Sequence, residues 1–375
     1  MMHGVRKAIF DLDTYAPGKP IDELLREIPG LAGRSITKLA SNENPLGPSP
    51  KAVAAMEKLL KKVHLYPEST APLLRAKLAE HCGVSPDYVI LGSGADEILR
   101  LIVETLVEPG DPCVISRLAF SRFRQHLKLM GGRVIETAAR GFGHDLEAMA
   151  LAVEEVQAKV VFIANPNNPT GTFNTASEME RFLGFLAKVA QPPWVVLDEA
   201  YGDFALDAYP GSYPQSLPGY LGIYPRLIVV RTFSKIAGLA GLRVGWAVAE
   251  PDFLNLVERA RLIFNVNILA QAAALAALDD KEFIVKTLKI VRQGRFYLES
   301  ELAKLGFEAI TPGAANFICA RVPLGTAQAL CEGLLREGVI IRAVAEPELH
   351  AHVRITIGTA AQNRALLAAL KKVLA

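Results

Sequence analysis

The sequence predicts an α/β protein in which helices cover both faces of a mostly parallel sheet, with a second, smaller α/β domain at the C-terminal end. Two observations predict this fold class. From about residue 51, short apolar runs rich in β-branched residues alternate with segments of helical length, which is typical of parallel strands joined by helices. After about residue 280, a long charged segment and short apolar runs follow a buried helix, which indicates that a new unit begins there.

Residues 1–50 are predicted to form an N-terminal arm. The arm contains many prolines and glycines and one helical stretch, at residues 21–27. Loop-rich segments of this length are often disordered or else lie over a functional site. The apolar and aromatic content of the arm favours packing against the small domain and the site.

Residues 51–280 are predicted to form the large domain. Helices are expected at 50–61, 71–81 and 95–107, and a buried helix at 268–278. Strands are expected at 88–91, 113–116, 133–136, 160–164, 194–197 and 227–230. In sheets of this kind the ligand lies beyond the carboxyl ends of the strands. The residues that follow each strand are therefore the candidates for a site.

Residues 281–375 are predicted to form the small domain, with a hinge near residues 275–295. A long charged helix is expected at 282–305 and a closing helix at 360–374. Short strands between them are expected at 317–320, 339–342 and 353–357.

The composition excludes several classes of protein. Hydrophobic residues make up 51% and charged residues 21% of the 375 residues, as in globular proteins. The net charge of +2 comes without a basic run, which argues against nucleic-acid binding. No stretch approaches the roughly 20 unbroken apolar residues of a membrane span, and no apolar segment of a signal peptide follows the first residues. We therefore expect a cytoplasmic protein with no membrane partner.

The spacing of cysteines and histidines argues against disulfides and metal sites. The four cysteines form no Cys-x-x-Cys pair and lie in apolar surroundings, so they are predicted to be reduced residues of the core. His350 and His352 have no acidic or cysteine partners in a metal-ligand pattern. Solvated loop histidines are the better interpretation, and no metal is expected.

The first candidate site residue is Lys235. The stretch Val229-Val-Arg-Thr-Phe-Ser-Lys235 joins a β-branched strand to a lysine, and small residues and glycines follow. A lysine at the end of a buried strand can lose its proton through desolvation and become a nucleophile toward a carbonyl. An ordinary solvated lysine at a strand end is the alternative.

A glycine turn follows the strand predicted at 88–91. The stretch Gly92-Ser-Gly94-Ala-Asp-Glu97 opens a helix, and the free amides and positive dipole of a helix start favour an anion such as phosphate. The turn is neither a P-loop nor a complete GxGxxG motif. A plain turn in which the two acids favour the helix start is the alternative.

Polar side chains also follow two further strands. The stretch Asn165-Pro-Asn-Asn168-Pro-Thr-Gly171 predicts a rigid turn whose side-chain amides can bond a polar ligand. Asp198 ends a buried apolar strand, which is costly without a cation. A protonated ring nitrogen would supply that cation, and Tyr201 could reach the same ligand. A plain turn and a salt bridge to a neighbouring helix are the respective alternatives.

Together these groups match one ligand. A desolvated lysine, an aspartate for a ring nitrogen, an asparagine and a tyrosine for a ring hydroxyl, and a glycine turn for a phosphate suit pyridoxal 5'-phosphate (PLP). The sequence resembles the fold-type I PLP aminotransferases over nearly its whole length and, within them, the histidinol-phosphate aminotransferases. The motifs behind this resemblance are Tyr15-Ala-Pro-Gly-Lys-Pro, Ser41-Asn-Glu-Asn-Pro-Leu-Gly, Tyr66-Pro, Gly92-Ser-Gly-Ala-Asp-Glu, Asn165-Pro-Asn-Asn-Pro-Thr-Gly, Asp198-Glu-Ala-Tyr, Ser234-Lys, Gly238-Leu-Ala-Gly-Leu-Arg-Val-Gly and Val353-Arg-Ile-Thr-Ile-Gly-Thr.

The resemblance implies a seven-stranded, mostly parallel sheet in the large domain, and it implies roles for the cofactor residues. Lys235 would bind PLP covalently and move a proton on the substrate. Asp198 would keep the pyridine nitrogen protonated, and Asn168 and Tyr201 would bond the 3'-oxygen of the ring. The other implied contacts are the phosphate cradle and an aromatic stack, from Gly94, Ala95, Asp96, Phe120, Ser234 and Arg243. The partner subunit's Tyr66 would complete the phosphate site of a homodimer.

The resemblance also implies substrate contacts. Arg354 matches the arginine that binds the substrate α-carboxylate through a two-pronged guanidinium contact. Arg342 matches a position that binds the substrate phosphate, with Tyr15 and Asn42 of the arm nearby. The segments that follow Arg342 and Arg261 differ from the usual family pattern, and both would lie on the substrate side of the site.

The sequence therefore predicts a homodimeric, cytoplasmic PLP aminotransferase that acts on L-histidinol phosphate and 2-oxoglutarate in histidine biosynthesis. An aromatic amino acid aminotransferase and a threonine-phosphate decarboxylase are alternatives that keep the cofactor. A non-catalytic ligand-binding protein of doubly wound architecture is an alternative from a different class.

Overall fold

The computed structural model describes residues 4–12, 14, 18–215 and 219–375. Its strands, numbered along the chain, are β1 (Thr37–Lys38), β2 (Val89–Gly92), β3 (Pro112–Ser116), β4 (Arg133–Thr137), β5 (Ala139–Arg140), β6 (Gly143–His144), β7 (Val160–Ala164), β8 (Trp194–Asp198), β9 (Leu227–Thr232), β10 (Gly245–Val248), β11 (Glu308–Ala309), β12 (Phe317–Arg321), β13 (Val339–Ile340), β14 (Arg342–Ala343) and β15 (His352–Thr356).

The α-helices are numbered in the same way, and short 3-10 helices lie between some of them. The α-helices are α1 (Lys7–Phe10), α2 (Ile21–Glu27), α3 (Pro50–Glu57), α4 (Pro72–Cys82), α5 (Ala95–Leu106), α6 (Ser121–Leu129), α7 (Leu146–Val156), α8 (Ala176–Leu186), α9 (Gly202–Ala208), α10 (Gly219–Ile223), α11 (Pro251–Ala260), α12 (Ile268–Leu278), α13 (Lys281–Lys304), α14 (Ala327–Arg336) and α15 (Ala360–Leu374). The 3-10 helices are Pro29–Leu31, Leu60–Lys62, Pro86–Tyr88, Ala240–Leu242 and Pro347–Leu349.

The central sheet has seven strands in the order β2-β10-β9-β8-β7-β3-β4. The strands β9, β8, β7, β3 and β4 run parallel, and β10 is antiparallel to both of its neighbours. The prediction of a mostly parallel sheet is thus confirmed. Because β7, β8 and β9 are parallel, their carboxyl ends lie at one edge, and the residues that follow them come together there.

Alternation along the central strands explains why helices cover both faces. In β7, Val161 and Ile163 belong to the core beneath α4, α7, α8 and α12, whereas Val160 and Phe162 belong to the core beneath α5, α6 and α11. Successive side chains of a strand point to opposite faces. Every residue of β7 is buried, so the strand is continuously apolar.

The second sheet has the order β11-β12-β15-β14 and is antiparallel throughout. Helices α13, α14 and α15 supply residues to the core on this sheet. The single strand predicted at 339–342 is wrong: β13 pairs with β1 of the arm, while β14 pairs with β15. The predicted strand is therefore divided into two short strands, each of which pairs with a different neighbour. The predicted boundaries of the arm and of the two domains stay predictions.

Two further predictions can be compared with the described residues. His350 is exposed, but His352 lies in β15 and is only 7% exposed, so the prediction of two solvated loop histidines is wrong for His352. The four cysteines are buried and free, which confirms the prediction of reduced core residues, and burial raises the pKa of each thiol. Among the described residues, no helix is both long and apolar enough to cross a membrane.

Candidate active site

A cavity of about 310 Å³ lies at the carboxyl ends of the central strands, between the two sheets and the arm. It is lined by most of the residues that the sequence predicted, namely Asn42, Ala95, Asp96, Phe120, Asn168, Asp198, Tyr201, Ser234, Lys235, Arg243, Arg342 and Arg354. Gly94 is not part of this lining but lies against the guanidinium of Arg243, which is, and Tyr66 lies outside it. Tyr15 is outside the described residues.

Lys235 faces the cavity three residues after the end of β9. Its Nζ donates a hydrogen bond of 3.3 Å to the Ser41 carbonyl of the arm. The same Nζ lies 5.7 Å from the centre of the Tyr201 ring. The amine is therefore held between the arm and the central sheet, where it can reach a carbonyl group placed in the cavity.

Asp198 is the last residue of β8 and is 6% exposed. Burial is the main effect and raises the pKa of its carboxyl to about 6. The backbone N–H of Ala200 donates to Oδ1 at 2.9 Å and lowers this pKa, whereas the charge of Glu199 raises it. Asp198 forms no salt bridge with the described residues, so the alternative of a bond to a neighbouring helix is wrong. A bound cation would hold this carboxyl in its ionised form.

The arm and the small sheet complete one wall of the cavity. Asn42 donates from Nδ2 to the hydroxyl of Tyr201 at 2.9 Å. Arg354 donates from Nη1 to Oδ1 of Asn168 at 2.6 Å and from Nη2 to the Ala40 carbonyl at 2.9 Å. Burial raises the pKa of the Tyr201 hydroxyl, so it stays protonated and can donate to a ligand.

Only one of the three asparagines of the turn after β7 faces the cavity. Asn165 exchanges hydrogen bonds with the backbone of Asn174, and Asn167 donates to the Leu118 carbonyl and to Thr170. These two side chains therefore fix the turn, and Asn168 is the one that lines the cavity. The interpretation as a rigid turn is confirmed by Asn165 and Asn167, and the ligand contact stays a prediction for Asn168.

The glycine turn and the arginine after β9 form a close cradle at the start of α5. Gly94 has a φ of +82°, and a Cβ there would lie 2.4 Å from Nη2 of Arg243. A Cβ on Gly245 would lie 2.5 Å from the amide nitrogen of Ala95. Nη1 of Arg243 is also 3.4 Å from Oγ of Ser234. The absence of these two side chains lets a guanidinium, a hydroxyl and the amides of a helix start converge, which suits a phosphate.

Arg342 and Arg354 lie directly opposite each other in the antiparallel pair of β14 and β15. Opposed residues have Cβ atoms about 5 Å apart, and like charges at such a pair are destabilising. Both side chains line the same cavity. An anion with several oxygens, placed between the two guanidinium groups, would offset that repulsion.

Several lining residues were not predicted. Ser41 and Glu43 flank Asn42 in the arm motif, and Thr232 and Ala240 lie near Lys235, so their position in recognised motifs was a usable signal. Arg122 holds the side chain of Asp96 from α6. Arg122 is not part of the lining, and the sequence reasoning gave it no role, although it ends the stretch Ala119-Phe-Ser-Arg in which Phe120 was recognised.

Tyr66 lies away from the cavity and is 81% exposed. Its ring stacks on Phe264, with 4.6 Å between ring centres. Leu65, which precedes Tyr66 in the sequence, and Leu262 and Ile263, which precede Phe264, are also exposed.

Comparisons with known proteins agree with this geometry. Residues 34–370 match the family model described as aminotransferase class I and II. A histidinol-phosphate aminotransferase from Moorella thermoacetica is 42% identical over 99% of this chain and 93% of its own length. Histidinol-phosphate aminotransferase 2 from Pseudomonas fluorescens is 44% identical over 97% of this chain and 95% of its own length.

A solved structure shows the same fold. The crystal structure of histidinol-phosphate aminotransferase from Sinorhizobium meliloti in complex with pyridoxal-5'-phosphate is 28% identical to this chain. It has a TM-score of 0.87 and the match covers 100% of this chain and 98% of that chain. The resemblance to fold-type I aminotransferases that the sequence motifs predicted is confirmed, and the chain belongs to the class I and II aminotransferase family.

Proposed function

We propose that L-histidinol phosphate and 2-oxoglutarate are the substrates of this PLP-dependent aminotransferase, which would form imidazole-acetol phosphate and L-glutamate in histidine biosynthesis. The names of the similar proteins from Moorella and Pseudomonas support this substrate. The observation that carries the proposal is the opposition of Arg342 and Arg354 across β14 and β15, on the wall of one cavity. Two guanidinium groups in that arrangement suit a phosphate or a carboxylate.

The cavity fits PLP on three observations of the structure. The cradle at the start of α5 exists because Gly94 and Gly245 have no side chains. Burial raises the pKa of the Asp198 carboxyl, and a cation such as a protonated pyridine nitrogen would stabilise its ionised form. The Nζ of Lys235 lies across the same cavity.

In this proposal the described residues hold the cofactor in a fixed orientation. The amides of Ala95 and Asp96, Oγ of Ser234 and the guanidinium of Arg243 bind the phosphate. Asp198 would bind the pyridine nitrogen, Asn168 and Tyr201 would bond the 3'-oxygen, and Phe120 would supply the aromatic face for the ring. These residues and Lys235 line the same cavity.

PLP, when bound, supplies an aldehyde carbon for the substrate amine and a ring that accepts electrons from the substrate Cα. Lys235 would supply the amine that takes a proton from the substrate Cα and hands it on, as a general acid and base. The hydrogen bond from Asn42 to Tyr201 orders the tyrosine ring beside this lysine. Arg354 binds the α-carboxylate of glutamate, and Arg342 binds the phosphate of histidinol phosphate.

The exposed apolar residues around Tyr66 support a homodimer, and the four free cysteines support a cytoplasmic location. Tyr66 and Leu65 are 81% and 54% exposed, and Leu262 and Ile263 are 71% and 76% exposed. Large exposed apolar patches mark contact surfaces. A second copy would cover this patch, and the partner subunit's Tyr66 would then reach the cofactor phosphate. Light scattering of the purified protein tests the dimer, and a monomer at micromolar concentration would contradict it.

A single-turnover assay tests the proposed substrate. The PLP-loaded protein is mixed with L-histidinol phosphate, with aromatic amino acids or with phosphothreonine, and conversion of the cofactor to its amine form is followed by absorbance. Among these compounds, only L-histidinol phosphate is expected to convert the cofactor rapidly. Faster conversion with an aromatic amino acid, or release of CO2 from phosphothreonine, would contradict the proposed substrate and favour one of the two alternatives.

A further inference from the structure

We propose that Arg122 is a positioning residue for the cofactor phosphate: it turns the carboxylate of Asp96 away from the cradle and neutralises its charge. This inference rests on the proposed role of the start of α5 in phosphate binding. Asp96 supplies a backbone amide to that cradle, yet its side chain carries a negative charge at the same place. A phosphate bound there would be repelled by an uncompensated carboxylate.

The contacts around Asp96 show how the charge is held. Nε of Arg122 donates to Oδ1 of Asp96 at 2.9 Å, and Nη2 of Arg122 donates to Oδ2 at 2.9 Å. Nε2 of His126 lies 2.9 Å from the same Oδ1. Both oxygens are therefore bound from α6, in the two-pronged geometry that fixes a carboxylate most firmly.

The protonation state of Asp96 agrees with this geometry. Burial alone would raise the pKa of its carboxyl, but the hydrogen bonds from His126 and Arg122 hold that pKa well below its ordinary value. An ionised carboxylate only accepts hydrogen bonds, so Nε2 of His126 is the donor. The group is a permanent anion at the edge of the proposed phosphate site, and its neutralisation comes from the arginine.

The position of Arg122 in the chain adds a second consequence. Phe120, which is proposed to stack on the cofactor ring, immediately precedes α6, and Arg122 is the second residue of that helix. The ion pair with Asp96 joins the start of α6 to the start of α5. The ring-stacking residue and the phosphate cradle are thereby held in one arrangement.

Cofactor affinity tests the inference, because the effect should depend on the phosphate group. Dissociation constants of the cofactor-free protein are measured for PLP and for pyridoxal, which has no phosphate. We expect Arg122→Gln to weaken PLP binding at least tenfold and pyridoxal binding much less, because only PLP carries the phosphate that the uncompensated carboxylate would repel. The double variant Arg122→Gln with Asp96→Asn removes the charge that needs neutralising, so it should recover most of the PLP affinity.

A matched control lies on the same helix. Arg124 pairs with Glu136 on β4 and does not line the cavity, so Arg124→Gln should bind PLP as the unchanged protein does. Equal weakening of PLP and pyridoxal by Arg122→Gln, or no recovery in the double variant, would overturn the inference. If Arg122→Gln fails to fold, the double variant still decides: folded protein with near-normal PLP affinity supports the inference, and folded protein with weak affinity overturns it.

The assay also separates this inference from the proposed function. No amino substrate is present, so the choice between histidinol phosphate and another substrate does not affect the result. If the unchanged protein binds PLP no more tightly than pyridoxal, the phosphate cradle itself is wrong, and the role of Arg122 falls with it.

Discussion

Replacement of Asp198 by Asn should make the cofactor-free protein more stable at neutral pH, although Asp198 is central to the proposed site. The residue is 6% exposed, and burial raises the pKa of its carboxyl from the ordinary value of 3.8 to about 6. One pH unit corresponds to about 1.4 kcal/mol, so ionised Asp198 costs the folded state about 3 kcal/mol above pH 6. Asn keeps the oxygen that accepts from Ala200 but adds a buried N–H, which costs about 1 kcal/mol if it finds no acceptor. We expect a net gain of about 1–3 kcal/mol.

The sign of the effect follows from proton linkage. The folded-state pKa of Asp198 lies above its ordinary value, so the folded protein holds this proton more tightly than the unfolded chain does. The stability from that proton is fully present below about pH 4 and is lost as the pH rises through 6. The advantage of Asp198→Asn should therefore grow between pH 4 and pH 7.

Urea unfolding of the cofactor-free protein at pH 4.5 and at pH 7.5 measures this effect. Glu154→Gln, at an exposed position of α7, serves as a matched loss of one carboxylate. The gain in the free energy of unfolding from Asp198→Asn should be larger at pH 7.5 than at pH 4.5. An equal gain at both pH values would contradict the raised pKa of Asp198. With PLP bound, the order should reverse, because the carboxylate then has its cation and the Asn variant does not.

Three further predictions follow from the site. Lys235→Ala should abolish turnover, because the amine that moves the proton at Cα is lost; steady-state assays that retain most of the activity would contradict this. Arg231→Met should lower the free energy of unfolding by about 3–5 kcal/mol. The reason is that the substitution removes the guanidinium partner of Glu199, whose side chain is fully buried. A thermal midpoint within 2 °C of that of the unchanged protein would contradict this prediction. Tyr66→Phe should leave the stability unchanged but weaken PLP binding about tenfold or more, since one hydrogen bond to a charged phosphate is lost; unchanged affinity in a cofactor titration would argue against the shared site.

The parts of the fold that could be predicted from the sequence are those with a strong local signal. Each of the strands β7, β8 and β9 contains a buried apolar run with β-branched residues and ends at, or leads into, a predicted site residue. The strand β10 was not predicted, because Gly245–Val248 is short and directly follows a glycine-rich segment. Its place between β2 and β9 depends on antiparallel pairing, which no local pattern reveals.

The candidate site shows the same division. Lys235, Asp198 and Asn168 could be predicted because each ends or follows a buried strand, and the shared edge of a parallel sheet brings them together. The opposition of Arg342 to Arg354 could not be predicted, because it depends on the register between β14 and β15. The ion pair between Arg122 and Asp96 depends on how α6 packs against α5. Such contacts between distant elements are set by packing and leave no motif.

The proposed phosphate recognition is tested most directly by comparing L-histidinol phosphate with L-histidinol as substrates of the unchanged protein and of Arg342→Gln. We expect the unchanged protein to have a much higher kcat/KM for the phosphorylated compound. We also expect Arg342→Gln to lose about 10- to 150-fold in kcat/KM with that compound alone, since a charge-assisted hydrogen bond contributes about 1.5–3 kcal/mol. Equal kcat/KM values for the two compounds in the unchanged protein, or an equal loss with both in the variant, would contradict the claim that Arg342 recognises the phosphate of the substrate.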